Sequence, residues 1–185
     1  MMRHIRHLRH VAAIALVVLG LPATQLAAQQ GSGRVVVRLL GYSHLVTLDS
    51  LVSWNDVAAN ATETFAMAKQ TIGVLKLPVT GIDSTRWLVA NTGFKARTSL
   101  AGHTMSWAFR CGSAMTGDYA DTARLSIAYA LFVEPTTEGH SRLGVAFISG
   151  AETVDGASRT PWDCISTGRL EQEIVRLVRA NVATR

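Results

Sequence analysis

Residues 123–133 read Ala-Arg-Leu-Ser-Ile-Ala-Tyr-Ala-Leu-Phe-Val. Leu125, Ile127, Tyr129, Leu131 and Val133 fall at every second position, the period of a strand that turns one face to a core. Past turn residues at 135–141, Leu143, Val145 and Phe147 return in the same phase within 143–150. Two such runs joined by a short turn predict an antiparallel pair at the centre of a sheet.

Upstream, His103, Met105, Trp107, Phe109 and Cys111 alternate with polar residues, and Ala101-Gly102 reads as a hairpin tip before them. Phe94, Ala96 and Thr98 alternate with Lys95, Arg97 and Ser99, and Arg86 to Asn91 is a further strand. Val74 to Ile82 is extended, with Pro78 placing it at a sheet edge. Before it, the period changes to that of a helix. Ser53 is the expected N-cap with Asp56 as its acidic partner, and Trp54, Val57, Ala58, Ala61, Phe65, Ala68 and Ile72 share a face until Gly73. Arg34 to Leu40 (RVVVRLL) reads as an opening strand. At the other end a helix starts near Ser166 or Thr167 and runs to about Asn181. Leu170, Ile174, Leu177, Val178 and Val182 form its apolar face, and Arg169, Glu173 and Arg176 pair on its surface. The order β-α-β-β-β-β-β-α predicts an α+β domain: an antiparallel sheet of about five to six strands with both helices on one face. Residues 34–185 form a single domain of a size that buries an adequate core.

The N-terminus carries a destination. Arg3, Arg6 and Arg9 precede the apolar run Val11–Leu21, Pro22 breaks that run, and Ala27-Ala28 precede Gln29. This is the order of a secretory signal peptide, here residues 1–28, followed by a lead-in at 29–33. A permanent span needs about 18–20 unbroken apolar residues, and Pro22, Thr24 and Gln25 interrupt this one. No stable membrane span is therefore expected after cleavage, and the expected location is periplasmic or secreted. Without the three leader arginines, fifteen of the eighteen basic residues face thirteen acidic ones, a formal charge of +2. No basic run survives to gain from counterion release, which argues against nucleic acid as a partner. In an oxidising compartment Cys111 and Cys164 are expected to form a disulfide. It would fasten the final helix to the sheet.

No HExxH, GxSxG, SxxK or paired CxxC motif occurs, and His44, His103 and His140 are far apart in sequence. No catalytic residues, metal ligands or cofactors are assigned. The glycine-bounded loop 112–121, with Asp118 and Asp121 and His103 nearby, is where an unrecognised enzyme site would lie. Two carboxylates alone fall short of a calcium loop. Asn60-Ala61-Thr62 matches a glycosylation sequon but falls within the expected helix. Trp107, Phe109, Tyr129 and Phe147 either pack as core or line a cavity between sheet and helices that could hold an apolar ligand.

Trp54, Ala58 and Ala61 on a helix, followed by Gly73-Val74, Pro78-Val79, Asp83 and Arg86-Trp87-Leu88-Val89, resemble the repeat unit of the BamC family of small bacterial envelope proteins. The resemblance covers residues 50–100 and implies a helix-grip-like domain used for binding. This chain departs from that family in having no lipid-attachment cysteine, one unit instead of two, and a disulfide of its own. The expected function is an exported binding or envelope-interaction module whose partner is a protein, a glycan or an apolar small molecule.

Overall fold

A computed structural model describes residues 34–115, 117–152 and 161–184. The expected leader 1–28 and lead-in 29–33, Thr116, the stretch 153–160 and Arg185 lie outside the described residues. In chain order, β1 (Val36–Val37), β2 (Val46–Thr47), a 3-10 turn at Leu48–Leu51 and β3 (Ser53–Val57) precede α1 (Ala61–Val74). Next come β4 (Gly81–Asp83), β5 (Leu88–Ala96), β6 (Ser99–Leu100), β7 (His103–Thr104), α2 (Met105–Ala108) and β8 (Phe109–Arg110). β9 (Ser113–Ala114), β10 (Gly117–Asp118) and α3 (Tyr119–Thr122) lead into β11 (Arg124–Pro135) and β12 (Ser141–Glu152). β13 (Pro161–Ser166) and α4 (Arg169–Ala183) close the chain.

The main sheet has seven antiparallel strands in the order β4-β5-β11-β12-β13-β8, with β3 also paired to β12. The alternation at 123–133 acts as expected. Ile127, Tyr129, Leu131, Leu143, Val145 and Phe147 face a core shared with Phe65, Ile72, Ile174 and Val178 of α1 and α4. Both long helices therefore lie on one face, and the domain is α+β.

The intervening positions Ala128, Ala130, Phe132, Ala146 and Ile148 face a second core. Its cover is the opening segment, through Val35, Val37, Leu39, Val46 and Leu48. This corrects the expectation for Arg34–Leu40. Only Val36–Val37 is strand, and it pairs with β2 in a separate small hairpin instead of joining the main sheet. Because β11 and β12 are apolar on both faces, each face needs a lid, and β-branched 34–40 provides the second.

The start of the first helix also differs. Ser53–Val57 pairs with Ser141–Val145 as a strand, so Ser53 caps nothing. Asn60 is the N-cap, accepting at 2.9 Å from the amide of Glu63. The helix continues past Gly73, and Lys76, at φ +54°, takes the left-handed position beyond its end. β5 runs through Thr92-Gly93 with a register shift opposite Ile127/Tyr129. The predicted strand 103–111 is broken by α2, and Asp121 accepts from the Ser106 amide at 2.8 Å to hold that turn. Pro161–Ser166 forms the strand β13, and Gly168, at φ +79°, turns it into α4.

Candidate functional site

The edge of β12 carries the feature of interest. β3 pairs with it over Ser141–Val145, and β13 pairs over Ser149–Glu152. Ala146, Phe147 and Ile148 lie between the two and have no strand partner on that side among the described residues. The gap arises because β3 and β13 approach from opposite ends. β3 rises from the hairpin layer through the Leu48–Leu51 turn, whereas β13 is drawn away to β8 and then into α4.

A cavity of about 450 Å³ sits at this gap. Phe147 and Ile148 line it from the sheet. The hairpin layer contributes Tyr42, His44, Val46 and Leu51, and the β13–α4 turn contributes Cys164, Ile165, Ser166, Gly168 and Glu171. The Cys111–Cys164 disulfide, with Cα atoms 4.4 Å apart, ties that wall to the segment after β8.

Two ionisable groups in the cavity are displaced by burial. The Tyr42 hydroxyl donates to the carbonyls of Ser149 and Cys164, each at 3.3 Å, and burial with the Asp163 carboxylate nearby pushes its pKa up to about 12. Glu171 is only 7% exposed. Its Oε1 accepts from the Ser166 hydroxyl, which in turn accepts from the Gly168 amide at 3.1 Å. Its Oε2 is buried with no hydrogen-bond partner. Burial raises the pKa of Glu171 from the ordinary value of 4.5, outweighing the hydrogen bonds from Ser166 and from its own backbone.

A carboxyl whose folded-state pKa is raised supports the fold while protonated, and that support is lost as pH rises through the raised value. Thermal unfolding of Glu171→Gln and the parent should therefore nearly coincide near pH 4. The variant should gain relative to the parent as pH rises towards 8. A constant difference across that range would show that the Glu171 carboxyl titrates as it does in the unfolded chain.

The four aromatic residues read either as core or as the lining of a ligand cavity are distributed unevenly. Tyr129 and Phe147 stack with centroids 5.1 Å apart, and Phe147 reaches the cavity. The Tyr129 hydroxyl is spent on the Pro78 carbonyl at 2.9 Å, and burial raises its pKa. Phe109 is fully buried in the same core. Trp107 sits on α2 instead, stacked on the His103 ring at 3.8 Å between centroids. Tyr42, Ser166 and Glu171 escaped the sequence reading. One signal was available for Glu171, since it falls between Leu170, Ile174 and Val175 on the buried arc of α4.

In the loop 112–121 both carboxylates serve backbone amides. Asp118 accepts from Ala120 at 2.9 Å, and Asp121 holds Ser106. Among the described residues no group of three or more His, Cys, Asp or Glu side chains could hold a metal ion. Asp83 likewise works in a turn. It accepts from Thr85 and Arg86, whose hydrogen bonds lower its pKa to about 2. Among the described residues no helix is long and apolar enough to cross a membrane. Comparison with known proteins finds no family model and no curated protein that matches this chain.

Proposed function

We propose that this protein is an exported binding domain that holds a small, mostly apolar molecule in the cavity at the gap in β12. The observation that carries the reading is the cavity itself. Its volume of about 450 Å³ lies in the usual range for small-molecule sites, about 300–1,000 Å³. Its walls combine aliphatic and aromatic side chains with a few polar groups, the usual make-up of such a site. At the rim, Leu51 and Ile165 are 49% and 71% exposed. A ligand seated between them would cover apolar surface that otherwise faces water. A glycan site would need a denser array of free polar groups than these walls offer. Export rests on the N-terminal sequence pattern and agrees with the disulfide.

Calorimetric titration with n-octanol tests the reading. Burying its chain contributes about 6 kcal/mol at ~0.8 kcal/mol per CH₂. The cost of association is subtracted from this, so the dissociation constant should lie above ~40 μM. Leu51→Trp should fill the mouth from a half-exposed position, changing stability by no more than ~0.5 kcal/mol. Saturable binding in the parent and its loss in L51W is the expected result. No binding in the parent, or equal binding in both, overturns the proposal.

A further inference from the structure

The cavity contains one polar group whose chemistry is incomplete. Among the buried side-chain atoms of the described residues that lack a partner, Glu171 Oε2 is the one that belongs to an ionisable group. Its side chain is more than nine-tenths buried and lines the cavity. Burial and hydrogen bonds account for its environment, and no arginine or lysine among the described residues acts on it. Buried carboxyls are ordinarily paired, so a bare buried oxygen on a residue that lines a cavity leaves a place for a donor from a ligand.

Four donors at this end of the cavity are already turned inward. The Tyr42 hydroxyl bonds the Ser149 and Cys164 carbonyls, and the Ser166 hydroxyl bonds Glu171 Oε1. The Gly168 amide bonds Ser166 Oγ, and the Arg169 amide bonds Thr167 Oγ1. An anionic headgroup would find these donors occupied, whereas a cationic headgroup finds a free acceptor. The positive end of α4 carries about half a unit charge, so a full carboxylate charge still leaves a net attraction for a cation. The aromatic rings of Tyr42 and Phe147 line the same walls, and an ammonium is attracted to an aromatic ring face.

Resting on the apolar-ligand reading above, we infer that the cavity selects an amphiphilic amine. Its ammonium group donates to Glu171 Oε2, and its hydrocarbon part lies against Leu51, Phe147 and Ile148. The ammonium supplies what the protein withholds, and the apolar walls supply most of the contact area.

Titration of the oxidised protein with n-octylammonium, n-octanol and octanoate, repeated on Glu171→Gln, tests this. The expected order is octylammonium at least tenfold tighter than octanol, with octanoate weakest, and E171Q should bring octylammonium and octanol within twofold of each other. Equal affinity for octylammonium and octanol in the parent overturns the amine selection but leaves the apolar cavity standing. Tightest binding of octanoate overturns it in the opposite sense, with Glu171 acting as a protonated donor. Failure of all three to bind removes the cavity reading as well. If E171Q does not fold, the ranking in the parent decides alone.

Discussion

Replacing both Cys111 and Cys164 by alanine should lower the unfolding free energy by about 4 kcal/mol. The bond joins residues 53 apart in sequence. Closing a loop of that length removes conformational entropy from the unfolded chain, and that entropy difference is the source of the estimate. Set against the ~5–15 kcal/mol that holds a typical domain folded, this is a large fraction. The loss should appear in urea titration as a lower midpoint and in thermal unfolding as a fall of roughly 8–16 °C. Cys164 also lines the cavity, one residue before Ile165 and two before Ser166. Octanol binding should therefore weaken together with stability. A loss under ~1 kcal/mol would mean that β13 and α4 are held as firmly by packing alone.

Gly150→Ala should be nearly as damaging, for a different reason. A Cβ built on Gly150 would lie 1.6 Å from the Leu40 carbonyl oxygen, which is backbone and cannot rotate away. Either β12 or the whole 34–52 layer must move. The expected cost is about 3 kcal/mol, the upper end of the usual range for overpacking. Gly73→Ala is the internal control. Nothing lies within 4 Å of its added methyl group, and the position is helical. That substitution should stabilise by about 0.5–1 kcal/mol through helix propensity. Hydrogen exchange adds a local readout. In Gly150→Ala the Leu48 amide, which bonds the Val35 carbonyl at 2.8 Å, should lose protection before the amides of β11. If Gly150→Ala is neutral, the opening segment does not lie against β12.

The parts of the fold legible in the sequence are those in which a single period dominates. β11 and β12 are long, and Leu125, Ile127, Leu131, Leu143 and Val145 recur in one phase, so their pairing and their helix-facing side could be read directly. The apolar stripe of α4 at Leu170, Ile174 and Val178 was equally plain, as was the Glu173–Arg176 pair, now seen at 2.6 Å. The misreadings occurred where two local patterns compete and a distant partner decides. Ser53 with Asp56 and Asn60 with Glu63 both look like helix starts. Pairing of 53–57 with the far end of β12 selects the second. In 103–111, Met105, Trp107 and Phe109 fit a strand, while the buried residues Met105, Ala108 and Phe109 fit a helical turn. The Asp121 contact to Ser106, fifteen residues away, settles it.

The candidate site was legible only through Phe147. A gap in strand pairing is a property of three strands together, and no local pattern in β12 announces where β3 and β13 stop. Glu171 could have been noticed as an acid on an apolar arc. Its unpartnered oxygen, however, depends on the Ser166 rotamer and the Gly168 turn, which no local pattern encodes.

The central claim is that the unpaired stretch Ala146–Ile148 opens onto a binding cavity. Methyl-resolved NMR of the oxidised protein during titration with n-octanol tests it most directly. The account predicts saturable shifts at Val46, Leu51, Ile148 and Ile165, with the methyls of Leu131 and Val133 unmoved. Shifts scattered evenly over the surface, or none up to the solubility limit of the alcohol, would contradict it.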